Sequence, residues 1–160
     1  EGWHTIGSII APEDAFLTLR GLRTLHIRLP EHQKSALAMA QWFQGRPEVA
    51  RVMYPALPDN PGHALWKRDF KGATGLFSIE LKPVSRAGLA AFVDHLDLFG
   101  MGASWGGYES LVLPFDAKPY RTATKHEVAG PTVRFHIGLE NIADLQADLD
   151  RGFARMKKAG

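Results

Sequence analysis

Cysteine is absent from the 160 residues, which removes a disulfide framework, a thiolate metal site and a cysteine nucleophile together. Long apolar runs are missing as well: none approaches the ~18 residues that a membrane span needs, and nothing near Glu1 reads as a secretory signal. Charge of one sign is equally scarce, since 19 Lys and Arg against 17 Asp and Glu leave a formal net charge of +2. The nearest basic group, Arg20, Arg23 and Arg28, is spread along a predicted helix and reads as a solvated face rather than a nucleic-acid surface. Seven histidines match no metal-binding spacing such as H-E-x-x-H, so no metal site is expected. Nucleic acid and membrane are therefore set aside as partners, and a cytoplasmic setting is expected. The chain opens on Glu1 and not on Met, which points to a processed start or to a piece of a longer protein.

What is present is an ordinary globular balance, with 45% hydrophobic and 22% charged residues, sized for one domain. Pro12, Glu13 and Asp14 mark a helix start, because the free amides and dipole of a first turn favour proline and acids. That helix is expected to end near Gly21. Leu22, Leu25, Leu29, His32, Ala36, Met39 and Phe43 then step by three and four, predicting one long helix kinked at Pro30. Val49 to Met53 reads as a strand, and Tyr54 to Gly62, with three prolines, as an irregular loop. Phe77, Ile79 and Leu81 alternate with Ser78 and Glu80, predicting a half-buried strand over Leu76 to Leu81. Ser85 is placed to cap a helix with the stripe Leu89, Phe92, Val93 and Leu96. In the clearest strand, Val133, Phe135, Ile137 and Leu139 alternate with Thr132, Arg134, His136 and Gly138. Asn141 caps a last helix with the stripe Ile142, Leu145, Leu149, Phe153 and Met156. The order of elements predicts an α+β fold: a small, mainly antiparallel sheet with helices packed mostly on one face.

Two places can carry chemistry. From Gly100 to Ser110, four glycines stand beside Trp105, Tyr108 and Glu109; glycines let a backbone approach a ligand, and an equally good reading is a tight turn. The segment is neither a P-loop nor a dinucleotide fingerprint. Arg134 shares a strand with four core-directed residues and so faces the other side, together with His136. Its planar guanidinium suits a carboxylate, though pairing with a neighbouring Glu on an open sheet face explains it too. Trp3, Trp42 and Trp66 read as packing anchors, with Trp105 the exception. No serine stands in a nucleophile elbow, and Glu80, Glu109 and Asp116 form no acid–base pair.

Four stretches together resemble the C-terminal part of the Cys/Met-metabolism family of pyridoxal-phosphate (PLP) enzymes. They are Leu19-Arg-Gly-Leu-Arg-Thr-Leu25, Tyr54-Pro-Ala-Leu-Pro58 before Gly62-His63, Ser104-Trp-Gly-Gly-Tyr-Glu-Ser-Leu111 and Val133-Arg-Phe-His-Ile-Gly-Leu-Glu140, collinear over essentially the whole chain. Trp66-Lys-Arg-Asp-Phe70 and Ser-Trp-Gly-Gly-Tyr look most like the family's cystathionine β-lyase branch; γ-lyases and γ-synthases usually carry Ser-Leu-Gly-Gly there. The resemblance implies that residues 1–160 form the small C-terminal domain of a fold type I enzyme, with 1–45 as a helical lead-in. It implies that Arg134 holds the substrate α-carboxylate and that Ser104 and Trp105 line the substrate side. Ala103 stands where relatives often place a Tyr or Glu that touches the substrate's far end, so it bears on specificity. PLP would sit as a Schiff base on a lysine of a preceding large domain that this chain lacks. None of Lys34, Lys67, Lys71, Lys82, Lys118, Lys125, Lys157 and Lys158 has a matching context, so no catalytic residue is expected here and the isolated chain should be inactive. The implied reaction is β-elimination of cystathionine, an amino-acid thioether, to homocysteine, pyruvate and ammonia in methionine biosynthesis, by a homotetramer. A γ-lyase, γ-synthase or methionine γ-lyase relative is the main alternative, and a non-catalytic fragment or oligomerisation module the other.

Overall fold

The computed structural model describes residues 7, 9–125 and 127–160. Its described helices are α1 (Pro12–Arg23), α2 (Leu25–Gln44), α3 (His63–Asp69), α4 (Arg86–Val93) and α5 (Ile142–Ala159). The strands are β1 (Val49–Met53), β2 (Leu76–Leu81), β3 (Phe99–Met101), β4 (Ser110–Phe115) and β5 (Thr132–His136), in the sheet order β1-β2-β5-β4-β3. Every pairing is antiparallel except β3 with β4. This is the expected α+β architecture.

The caps act as the sequence predicts: Ser85 Oγ accepts from the Gly88 amide and Asn141 Oδ1 from the Ala143 amide, both at 2.9 Å. Each satisfies an amide that the first helical turn leaves without a partner. The core lies on one face of the sheet. Phe43 of α2 meets Phe77 and Phe135 at ring-centroid distances of 5.9 and 5.0 Å, and Phe153 of α5 stacks on Phe92 of α4 at 4.5 Å. Val112, Val133, Ile79 and Leu81 are fully buried around them. Large aromatic surfaces removed from water together supply much of the drive for such a small layer to close.

The helical lead-in departs from its expected form. One continuous stripe was predicted from Leu22 to Phe43, but Thr24 (φ −105°, ψ 1°) interrupts the helix and leaves Leu22 in α1. Pro30 is accommodated inside α2. His32, Ala36, Met39 and Phe43 are buried, whereas Leu22 and Leu29 are exposed and α1 buries no residue. Periodicity records which side of a helix is apolar, not what covers it. Trp42 packs edge-on against Phe43, and the Trp66 indole donates to the Gly72 carbonyl at 3.1 Å, so both are packing residues. Trp3 lies outside the described residues.

One ion-pair cluster fastens the C-terminal helix. Glu48, just before β1, lies 2.7 Å from Lys157 Nζ and 3.4 Å from Arg46 Nε. Burial of the Glu48 carboxyl opposes its charge, but the Lys157 ammonium, its own backbone amide and Arg46 together outweigh this and hold its pKa below the usual 4.5. A carboxyl lowered in the folded state stabilises the fold above its unfolded pKa, and that contribution is lost as pH falls through the folded value. Stability should therefore decline on acidification below pH 4.5. Glu48→Gln should cost about 1 kcal/mol at neutral pH and flatten that decline, as read by urea denaturation across the acid range. An identical acid profile in the variant would remove Glu48 from the account.

Candidate functional site

The site follows from one topological requirement. Parallel neighbours β3 and β4 need a connection that carries the chain back to its starting edge, usually a dozen residues or more. Here only residues 102–109 do so, because β3 is three residues long. The return path crosses the sheet face opposite the helices. Gly106 makes the turn with φ +89°, a conformation that L side chains rarely adopt.

This path brings the segment over β5, and the chain from Arg134 to Glu140 attaches to it at four points. Arg134 Nη2 donates to the Ala103 carbonyl at 2.6 Å and more weakly to that of Ser104 at 3.4 Å. His136, two residues on, meets the turn itself: its Nε2 lies 3.1 Å from the Gly107 carbonyl and the Gly106 amide points at the ring. Beyond the strand, the Glu140 carboxylate accepts from both the amide and the hydroxyl of Ser110 at 2.8 Å, and Ser110 Oγ in turn accepts from the Gly138 amide. Leu139 N also donates to the Tyr108 carbonyl at 2.8 Å. Gly138 permits this approach, because a Cβ there would run into the Tyr108 carbonyl and the Glu140 carboxylate.

Arg134 occupies the middle of the sheet, paired across with Ser78 of β2 and Leu113 of β4. The expected alternative, a Glu partner on an open face, is not what it has. Among the described residues no carboxylate lies within 4.0 Å of its guanidinium, and its hydrogen bonds leave from Nη2 alone. Arg134 is thus a part-buried cation held by two carbonyls, with Nε and Nη1 making no hydrogen bond among the described residues.

Of the other expected site residues, Ala103 and Ser104 reach Arg134 through their backbone carbonyls. Their side chains are exposed, as is Trp105, 57% accessible and thus no packing anchor. His136 faces Arg134's side as its strand parity requires, yet it is 2% exposed because the return segment covers it. The Ser110–Glu140 clamp was not expected; the Glu-Ser and Gly-Leu-Glu ends of two of the four motifs are the residues that form it. Among the described residues no cluster of three or more His, Cys, Asp or Glu has metal-binding geometry, and no helix is long and apolar enough to cross a membrane.

A profile described as Cys/Met metabolism PLP-dependent enzyme matches residues 2–154. The chain belongs to this family. Within it, the cystathionine β-lyase of Salmonella typhimurium is 48% identical over 98% of this chain and 40% of its own length. The L-alanine/L-glutamate racemase of Wolbachia pipientis is 42% identical over 98% of this chain and 39% of its own. A crystal structure of cystathionine γ-synthase from Xanthomonas oryzae pv. oryzae, in complex with aminoacrylate and cysteine, superposes with TM-score 0.81 at 38% identity, covering 98% of this chain and 41% of that one. The chain thus spans about two fifths of the length of the curated relatives it matches.

PLP is the family's cofactor, and its fit to these residues can be tested. A Schiff base needs an unprotonated amine, which proteins obtain by desolvating the lysine or crowding it with cations. All eight lysines of this chain are exposed, so none is suited to carry the group.

Proposed function

We infer that the chain is the C-terminal, carboxylate-anchoring domain of a PLP-dependent carbon–sulfur lyase that cleaves cystathionine by β-elimination to homocysteine, pyruvate and ammonia. The observation that carries this reading is Arg134, a part-buried guanidinium without a carboxylate partner among the described residues, aimed from the sheet under a glycine-rich strap. Two parallel N–H donors, one from Nε or Nη1 and the other the Nη2 hydrogen freed from the weak 3.4 Å Ser104 contact, would clamp the substrate's α-carboxylate and fix its rotation relative to the reacting bonds, and orientation of this kind is worth several kcal/mol. PLP, when bound elsewhere in the whole protein, supplies the electron sink for the carbanion. Ser104 and Trp105 line the substrate side, and Ala103 leaves room at the substrate's far end. The reading places the whole protein in the cytoplasm as a homo-oligomer of methionine biosynthesis, and the 160 residues alone should not turn over.

The likeness to the β-lyase at 48% identity favours β-elimination, while the γ-synthase likeness keeps γ-chemistry as the second reading. Product analysis separates them. The full-length protein given L-cystathionine should release pyruvate and homocysteine; release of 2-oxobutyrate and cysteine would establish γ-elimination instead. Absence of both would overturn the lyase reading.

A further inference from the structure

We propose that His136 is the positioning residue of the carboxylate site: as a neutral imidazole it holds the Gly106–Gly107 turn on β5, and the turn sets where Ala103 and Ser104 carry the Arg134 guanidinium. The proposal rests on the carboxylate reading of Arg134.

The geometry demands a ring that both gives and accepts. The Gly107 carbonyl, 3.1 Å from Nε2, can only receive a hydrogen, so Nε2 carries it. With Nε2–H committed to Gly107, the Gly106 amide, 3.1 Å from Nε2 and 3.5 Å from Nδ1, can donate only to the unprotonated Nδ1, at the long end of hydrogen-bond range. A neutral imidazole offers one donor and one acceptor; an imidazolium offers two donors and sets an N–H against the Gly106 N–H. Protonation therefore keeps one strut and reverses the other.

The surroundings hold the ring in its neutral form. His32 of α2 stands with its ring 5.2 Å away and spends Nδ1 on the Ile137 carbonyl at 2.8 Å, which leaves its buried Nε2 without a partner among the described residues. Glu109 of the return segment and Glu140 beyond β5 face the ring from the other sides, and Arg134 shares its sheet face. Burial lowers the His136 pKa most and His32 adds to this; the Gly107 carbonyl, Glu109 and Glu140 oppose it, and the net shift is downward from 6.5. Without this ring the Arg134 carbonyl bonds, the Leu139–Tyr108 backbone bond and the Ser110 clamp remain, so its loss should loosen the Gly106–Gly107 turn without releasing the rest of the strap.

The test uses the full-length holoenzyme, wild type against His136→Phe and His136→Gln. Phenylalanine fills the buried space with no polar atom; glutamine supplies one donor and one acceptor and cannot titrate. Two quantities are read: hydrogen–deuterium exchange of the 102–110 segment, and KM and kcat for L-cystathionine from acid to neutral pH. His136→Phe should exchange about tenfold faster across the segment and raise KM about tenfold, with kcat changed less than about threefold. His136→Gln should match wild type at neutral pH and lack the rise in KM that wild type shows as pH falls below 6.5. Wild-type KM in His136→Phe, with or without faster exchange, overturns the proposal, as does a His136→Gln enzyme as impaired as the Phe variant. Should wild type fail to cleave cystathionine, the lyase reading falls by itself; exchange then decides the strap, unchanged rates in His136→Phe overturning it and faster ones with Gln rescue upholding it.

Discussion

Replacing Arg134 with alanine in the full-length protein should lower kcat/KM for cystathionine by about 30- to 5,000-fold, equivalent to about 2–5 kcal/mol of lost transition-state binding. The size follows from two losses. The substrate carboxylate would enter a part-buried site without its cation, and the Ala103 carbonyl would lose the 2.6 Å bond that ties the return segment to β5. Arg134→Lys divides them. An ammonium restores charge but not the planar fork, so it should recover part of the affinity and none of the two-point orientation, leaving a deficit of about 10- to 100-fold. Alanine and wild-type enzymes with equal kcat/KM would remove Arg134 from substrate binding. A lysine variant with full activity would leave the charge in place and reject the clamp.

Much of this site could be read before folding, and the part that could not has a definite cause. Alternation from Thr132 to Leu139 places Arg134 on the side away from the core, because side-chain parity is a local property of a strand. The same parity puts His136 beside it, and suggests an open polar surface for both. The structure buries His136 at 2% exposure, since residues 102–109 return across that face, and the path of a return segment is set by strand order, not by local pattern. Gly138 shows the same division. Its position in the strand is legible, but the reason it must be glycine lies in the Tyr108 carbonyl, thirty residues earlier. The Ser110–Glu140 clamp likewise joins two ends that only tertiary structure brings together. In the lead-in the apolar stripe is legible while Leu22 and Leu29 stay exposed, for burial depends on what a stripe meets.

Asp148→Ala should be the most destabilising polar substitution in the fold, at about 3–5 kcal/mol, the range for breaking a buried charge and stranding its donors. Asp148 stands three residues after Leu145, on the buried side of α5, where the apolar stripe calls for a hydrophobe, and it is fully buried. Its two oxygens accept from the Asp97 amide at 3.1 Å and the Leu98 amide at 2.9 Å, and Arg151 Nη2 lies 2.9 Å from the carboxylate. Those amides belong to the chain just before β3, so one carboxylate anchors the strand from which the return segment starts. Alanine strips both amides of their acceptor and leaves Arg151 with the exposed Asp97 carboxylate as its partner. Asparagine retains one accepting oxygen but brings a donor to face a backbone amide, so it should fall between wild type and alanine. Calorimetry on the full-length protein should show the unfolding transition of this domain lowered by roughly 6–20 °C for alanine and by less for asparagine. Because β3 leads into Gly102 and the Arg134 carbonyl partners, the folded fraction of the alanine variant should also bind substrate more weakly. An alanine variant with an unchanged transition would mean that water satisfies residues 97–98, and the anchoring role of Asp148 would fall.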